Sequence, residues 1–362
     1  MIGVAQAFSP GYRAARVRFL EGAARAGLAI ASLAHPLAGS EGEALALDTA
    51  RDGPPDAERL LVVTSACHGV EGHCGSGVQV FALHDEEWRA KARAAGVAVL
   101  YVHALNPHGF SWTRRVTHEN VDLNRNFQDF AQPLPDNPAY AELHGLMLPP
   151  EWPPTPANRA AVAAYVERHG AAALQAAVSR GQHGFADGLF YGGAGPTWSN
   201  LAWRAVLRRE AGRARRLAWI DLHTGLGPSG IAERIFACRD DAAALAQARA
   251  WWGAGVTSIY DGTSTSAFLT GMAFNAVYEE CPQAEYTGLA LEYGTVPFEE
   301  VIEALRGDHW MHQHPGAPPA LAAQIRARLR AAFYTDTDAW KGQVISQARQ
   351  AMFQAVGGLA AA

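Results

Sequence analysis

A histidine and a carboxylate three residues apart, directly after an apolar run, can converge on one metal ion. That pair is His68 and Glu71, in Ser65-Ala-Cys-His-Gly-Val-Glu-Gly72. Taken alone, H-x-x-E says little, because chance and surface pairing produce many such matches. Its position gives it weight. Leu60-Leu-Val-Val-Thr-Ser65 reads as a buried strand, and ligands in open α/β sheets gather beyond the carboxyl ends of strands. Gly69 and Gly72 allow a sharp exit turn. His223 follows a similar run, Leu217-Ala-Trp-Ile-Asp-Leu222. It reads either as a core histidine bonded to a carbonyl or as a third ligand. Three protein ligands leave one tetrahedral position of a catalytic zinc for water. Asp221 is set aside, on the expectation that strand alternation turns it away from His223.

Glu292 lies within Leu289-Ala-Leu-Glu-Tyr-Gly294. A glutamate in so apolar a strand is costly unless it is paired or working. Burial would raise its pKa toward the range of a proton shuttle, and a strand-end salt bridge is the plainer reading. A fourth segment runs from Asn106-Pro-His-Gly-Phe110 through Arg114-Arg115 to Asn120-Val-Asp-Leu-Asn-Arg-Asn-Phe127. Arg125 between two asparagines suits bidentate capture of a carboxylate, and another arginine nearby could stabilise an oxyanion.

These segments must be positioned by elements that the sequence also marks. The chain has 362 residues, 49% hydrophobic and 18% charged, with ample material for a core. Apolar runs at 60–65, 97–103, 217–222, 234–238 and 289–293 read as strands. Helical patterns cover 12–33, 157–180, 242–251, 298–305, 317–333 and 338–356. This alternation predicts an α/β fold, with a mixed, largely parallel central sheet and helices on both faces, an α/β/α sandwich. The Pro-rich stretch near 147–156 separates segments that must meet in space. It is therefore expected to be a surface loop within one catalytic domain spanning 1–362, closed by helices over 317–357.

A net charge of -5 gives no basic footprint for nucleic acid, and no apolar stretch is long enough for a membrane span. Residues 1–30 read as an amphipathic helix rather than a signal peptide. Cys67, Cys74, Cys238 and Cys281 form no C-x-x-C pair, which suggests free thiols and a cytoplasmic setting. Cys67 beside His68 raises a catalytic thiol as a minor alternative. There is no G-x-S-x-G elbow for a serine hydrolase. His73 is a spare ligand or a helix-face residue. The run His309-Trp-Met-His-Gln-His314 reads as a surface helix end. Gly188-Leu-Phe-Tyr-Gly-Gly-Ala-Gly-Pro-Thr-Trp-Ser-Asn200 suits a loop over a pocket or a packed structural loop.

The set H-x-x-E, N-P-x-G, D-L-N-R-N-F, a later strand-end His and a still later strand-end Glu resembles the zinc carboxypeptidase superfamily. That superfamily includes the aspartoacylase and succinylglutamate desuccinylase branch. The nearest resemblance is to an uncharacterised bacterial branch of carboxypeptidase-like proteins, over about residues 55–310. It implies one zinc ion on His68, Glu71 and His223, with Glu292 as general base and then acid. It implies Asn124 and Arg125 on the substrate's carboxylate and Arg115 on the scissile carbonyl, with Arg114 as the fallback. A mobile capping tyrosine is not matched; Tyr260, Tyr278 and Tyr286 are the candidates. The implied activity is hydrolysis of an amide next to a free carboxylate, on a peptide. The rivals are an N-acyl amino acid deacylase and a zinc-containing protein that binds peptides without cleaving them. Neither nucleic acid nor membrane is an expected partner, and the oligomeric state is left open.

Overall fold

The computed structural model describes residues 2–361. Eight strands form one sheet: β1 Ala29–Ala38, β2 Ala44–Asp52, β3 Arg59–Thr64, β4 Ala98–His103, β5 Arg216–Ser229, β6 Ala232–Phe236, β7 Val256–Thr257 and β8 Glu285–Gly294. Their order is β1-β2-β4-β3-β5-β8-β6-β7. The centre, β4-β3-β5-β8, is parallel throughout. The β1–β2, β2–β4 and β6–β8 pairs are antiparallel, and β7 runs parallel to β6. The fold is α/β, with a mixed, largely parallel sheet.

Strands β3 and β4 are buried almost end to end, as continuous apolar runs require when helices cover both faces. Trp219, on one face of β5, meets Trp203 of the helix Trp198–Ala211 with ring centres 5.5 Å apart. On the other face, the Tyr293 hydroxyl donates to the Val344 carbonyl of the helix Asp338–Ala360 at 3.3 Å. Among the described residues, no helix is long and apolar enough to cross a membrane.

Several elements differ from the sequence reading. The helix expected over 12–33 ends at Arg25, and the chain turns at Gly27 (φ +70°) into β1. β1 was hidden because its run is rich in alanine, not in β-branched residues. The helix expected over 157–180 is two, Pro156–His169 and Ala171–Ser179, broken at Gly170 (φ +89°). The 309–314 run does close a helix, Phe298–Gln313, with His312 and Gln313 exposed, but its start is buried: His309 is 2% exposed, because that helix runs two turns further than its apolar pattern suggested.

The exits of β3 and β4 set the geometry of everything above them. Ala66 (φ +55°) and Ala104 (φ +64°) take the left-handed turns there, and not Gly69 or Gly72 as expected. The two exits are tied by Leu105 N–H to the Ser65 carbonyl (3.0 Å) and Asn106 N–H to the Ala66 carbonyl (2.8 Å). Gly69 is needed for a different reason. Its backbone rests on the Gly109 and Phe110 backbone, and a Cβ there would collide with Gly109. This approach lets Gly69 and Val70 donate to the carbonyls of Arg115 (3.0 Å) and Arg114 (2.8 Å). Gly69→Ala is therefore expected to lower stability by at least about 1–3 kcal/mol, the usual scale of overpacking. Denaturant unfolding of the variant against the parent chain measures it.

Candidate metal centre and cleft

The carboxyl ends of the parallel strands converge on one cleft. It is lined by His68, Arg115, Asn124, Arg125, His223 and Glu292, among others, and its empty volume, open mouth included, is about 970 Å³. His68 and Glu71 come from the turn after β3. His223 sits on β5, in register with Glu292 on β8.

His68, Glu71 and His223 are buried, and one potential ligand atom from each lies within 4.8 Å of the others. His68 Nδ1 is 2.9 Å from Glu71 Oε1, and His223 Nδ1 is 3.0 Å from Glu71 Oε2. The far nitrogens face carboxylates: His68 Nε2 lies 3.1 Å from Asp122 Oδ1, and His223 Nε2 lies 2.6 Å from Asp221 Oδ2. Each imidazole thus presents Nδ1 inward, with a buried carboxylate at Nε2; on His68, Arg115 Nη2 also lies 2.9 Å from Nε2. That arrangement orients histidines for a metal and raises their basicity. Two imidazoles and one carboxylate suit a divalent zinc-like ion.

The Asp221 contact corrects the expectation for that residue. Residues two apart on a strand share a face, so alternation places Asp221 on the same side as His223, not the opposite one. Asp221 is held in turn by the Thr64 hydroxyl at 2.5 Å. Asp122, which opens the D-L-N-R-N-F motif, is a further member of the site; its place among Arg114, Arg115 and Arg125 in the sequence is the one signal that points to it. Cys67, Asp221 and His223 form a second close group. Burial first, then Asp221, pushes the Cys67 thiol far up, which disfavours both thiolate ligation and nucleophilic attack.

The charges explain one another. Burial raises the Glu71 pKa, but the His68 charge and the hydrogen bonds from both histidines pull it well below the usual range. Burial opposes ionisation of Asp122 as well; Arg115, Arg125 and His68 hold it well below. Burial lowers the His223 pKa, and Asp221 with Glu71 more than restores it, so the imidazole is held well above its ordinary value. Glu292 goes the other way. Burial, then the Glu71 charge, raises it to about 8, with Oε1 accepting from Leu226 N–H at 3.0 Å.

The two arginines of the tandem part company. Arg115 donates to Glu71 Oε1 (2.9 Å) and Asp122 Oδ2 (2.9 Å) at the cleft. Arg114 turns away and pairs with Asp308 Oδ2 (3.2 Å) and Asn120 Oδ1 (3.1 Å), both outside the cleft lining. Asn124 uses Oδ1 to accept from Ala273 N–H (2.8 Å), so its amide nitrogen is the end that can meet a ligand. Arg125 gives three donors to the carbonyls of Ser179 and Asn124, which leaves two of a guanidinium's five.

His73 does not join the cluster. It is buried, with Nδ1 3.5 Å from the Ser9 carbonyl. None of the three tyrosines lines the cleft. The Tyr260 and Tyr286 hydroxyls donate to the carbonyls of Cys238 and Ala237, and the Tyr278 hydroxyl accepts from Arg239 N–H. Phe190 of the Gly-rich loop does line it.

Fold and side chains together define an α/β protein with a buried cluster of two histidines and a glutamate that could hold a metal at the carboxyl ends of its central strands. The chain belongs to the family described as "Protein of unknown function (DUF2817)", whose model matches residues 8–347. No curated protein matches its sequence. In structure the chain is similar to carboxypeptidase A from Helicoverpa armigera, at 12% identity over 89% of this chain and 73% of that one, with a TM-score of 0.44. Bovine thrombin-activatable fibrinolysis inhibitor, in complex with tick carboxypeptidase inhibitor, is 11% identical over 89% and 96%, with a TM-score of 0.46. A metallo-carboxypeptidase from Burkholderia cenocepacia is 12% identical over 88% and 66%, with a TM-score of 0.37. At these values the functional reading rests on this chain's own side chains.

The split between the arginines is testable. Arg114→Ala takes the guanidinium from buried Asp308 and leaves it only His312 Nε2, 3.4 Å from Oδ1, and is expected to cost up to about 3–5 kcal/mol of stability in a melt. The pair also has a pH signature. Burial raises the Asp308 pKa, but Arg114 holds it down at about 2, below its ordinary 3.8. The folded value is below the unfolded one, so this contribution is complete above about pH 4 and is lost as pH falls toward 2. Asp308→Asn should flatten that part of the acid-stability profile.

Proposed function

We propose that this chain is a zinc-dependent hydrolase of the carboxypeptidase-like kind, cleaving an amide bond next to a free carboxylate. The observation that carries this reading is the convergence of His68 Nδ1, His223 Nδ1 and the Glu71 carboxylate beside Glu292 and Arg115 in one cleft. Zinc bound at that cluster supplies Lewis-acid polarisation of a carbonyl and acidification of water.

The remaining roles belong to the chain. Asn124 and Arg125 hold the substrate's carboxylate through the amide nitrogen and the two uncommitted guanidinium donors. Arg115 donates to the scissile oxygen as negative charge builds on it. Glu292 takes the proton of the attacking water and returns it to the leaving nitrogen. Its raised pKa suits both halves of that transfer, and a dication nearby draws the value back toward neutrality.

The cleft also supports a side-chain preference. One pleat below His223 and Glu292, Asp221, Ala290 and Ile235 lie in register across β5, β8 and β6. Asp221 is occupied by His223 and Thr64, and Ile259, Leu269 and Met272 continue the wall. The residue bearing the carboxylate therefore carries a large apolar side chain. This lining disfavours a deacylase of small acidic substrates, which would want a further cation there. A protein that only binds peptides has no use for a proton shuttle such as Glu292.

Blocked dipeptides ending in Phe or Leu should be cleaved about ten- to a hundredfold faster, in kcat/KM, than those ending in Asp, in line with about 1.5–3 kcal/mol for burying a large apolar side chain. N-acyl amino acids assayed alongside separate the deacylase reading. Glu292→Gln should lower kcat by about 10²–10⁴-fold while zinc stays stoichiometric. Normal turnover by that variant would remove Glu292 from the mechanism. No cleavage of any amide, with zinc bound, would favour the binding protein.

A further inference from the structure

Arg115 and Arg125 are two buried cations on one wall of the cleft, and they repel each other. Burial lowers the Arg125 pKa, and the Arg115 charge adds to that effect. Asp122 offsets part of it, lying 2.9 Å from Arg115 Nε and 3.6 Å from Arg125 Nη1. A second group meets both. The guanidinium carbons of Arg115 and Arg125 lie over the Phe190 ring, at 5.1 and 5.5 Å from its centre. A cation over an aromatic face is attracted by the ring's quadrupole, most strongly where water is excluded. Phe190 is 6% exposed.

The backbone indicates that this ring is placed with some force. Phe190 has φ +49°, a conformation that bulky side chains rarely adopt. The loop around it is strapped from three sides. Gln182 N–H donates to the Phe190 carbonyl (3.2 Å), Asp122 N–H to the Tyr191 carbonyl (2.7 Å), and Leu189 N–H to the Tyr140 hydroxyl (2.6 Å). The strap through Asp122 ties the loop to the residue that also bridges the arginines. Strain held in place by such over-determination is typical of sites whose geometry is used.

We propose that Phe190 is a positioning residue: its ring fixes the spacing of the Arg115 and Arg125 guanidiniums, so that one substrate can meet both. Arg115 then reaches the scissile oxygen while Arg125 holds the carboxylate of the same molecule. This rests on the hydrolase reading above, and it adds a residue that neither contacts the reacting atoms nor ligates metal.

The test compares Phe190→Leu, which keeps apolar volume, with Phe190→Tyr, which keeps the π face. With a blocked dipeptide ending in Phe, F190L is expected to raise KM through Arg125 and lower kcat through Arg115, at least tenfold together in kcat/KM. F190Y recovers most of both, and zinc content is unchanged in each. Independently of activity, arginine-labelled protein should show Nε–Hε signals of Arg115 and Arg125 shifted upfield by the ring, assigned with Arg115→Lys and Arg125→Lys. F190L should abolish that shift. If F190L keeps kcat, KM and the arginine signals of the parent chain, Phe190 is mere packing and the proposal fails. If the parent chain cleaves no amide, the hydrolase reading fails; Phe190 then positions the pair only if F190L also speeds hydrogen exchange of the Arg115 and Arg125 Nε–Hε groups, and parent-like exchange would overturn the proposal.

Discussion

Glu71 is 1% exposed, and an isolated carboxylate at that depth costs several kcal/mol. It is tolerated because each oxygen has two partners. Oε1 meets His68 Nδ1 and Arg115 Nη1; Oε2 meets His223 Nδ1 and the Thr224 N–H. Those partners come from the β3 exit, the segment after β4, and β5. Neutralising this one buried charge therefore requires three separate parts of the sheet edge to be in place together. Asp122 and Asp221 extend the same constraint outward by fixing the far nitrogens of both histidines. Glu292 is the consequence on the other side. Burial and the Glu71 charge hold on to its proton, where Glu71 and Asp122 stay ionised.

The backbone serves this charge arrangement. Left-handed turns at Ala66 and Ala104, and the bare approach of Gly69 to Gly109, bring the exits of two parallel strands into hydrogen-bonded contact. Arg115 is carried to the cluster by that contact, because the Gly69 and Val70 N–H groups grip the carbonyls of Arg115 and Arg114. Arg115 enters the cleft on Glu71 and Asp122, and Arg114 is spent on Asp308. Phe190 enters from a different loop and meets the two cleft arginines.

Much of this was legible in the residues, for identifiable reasons. Buried parallel strands read as continuous apolar runs, so β3, β4, β5 and β8 and the polar residues at their ends stood out. β1 and β2 did not, because alanine carries no period of its own. Arg114 and Arg115 could not be separated without the exit geometry. Asp221 is legible as the partner of His223, since i and i+2 of a strand share a side. Phe190 lay in a loop noted for its glycines and aromatics, but its partners are over sixty residues away in sequence. Nothing local marks such a contact.

The proposed hydrolase depends on one zinc ion held by His68, Glu71 and His223. Anomalous scattering at the zinc edge, from crystals of protein purified without chelator, tests it most directly. One strong peak is expected within bonding distance, about 2.0–2.2 Å, of His68 Nδ1, His223 Nδ1 and a Glu71 oxygen. A peak at other residues, or none at this cluster in protein shown to contain zinc, would contradict it.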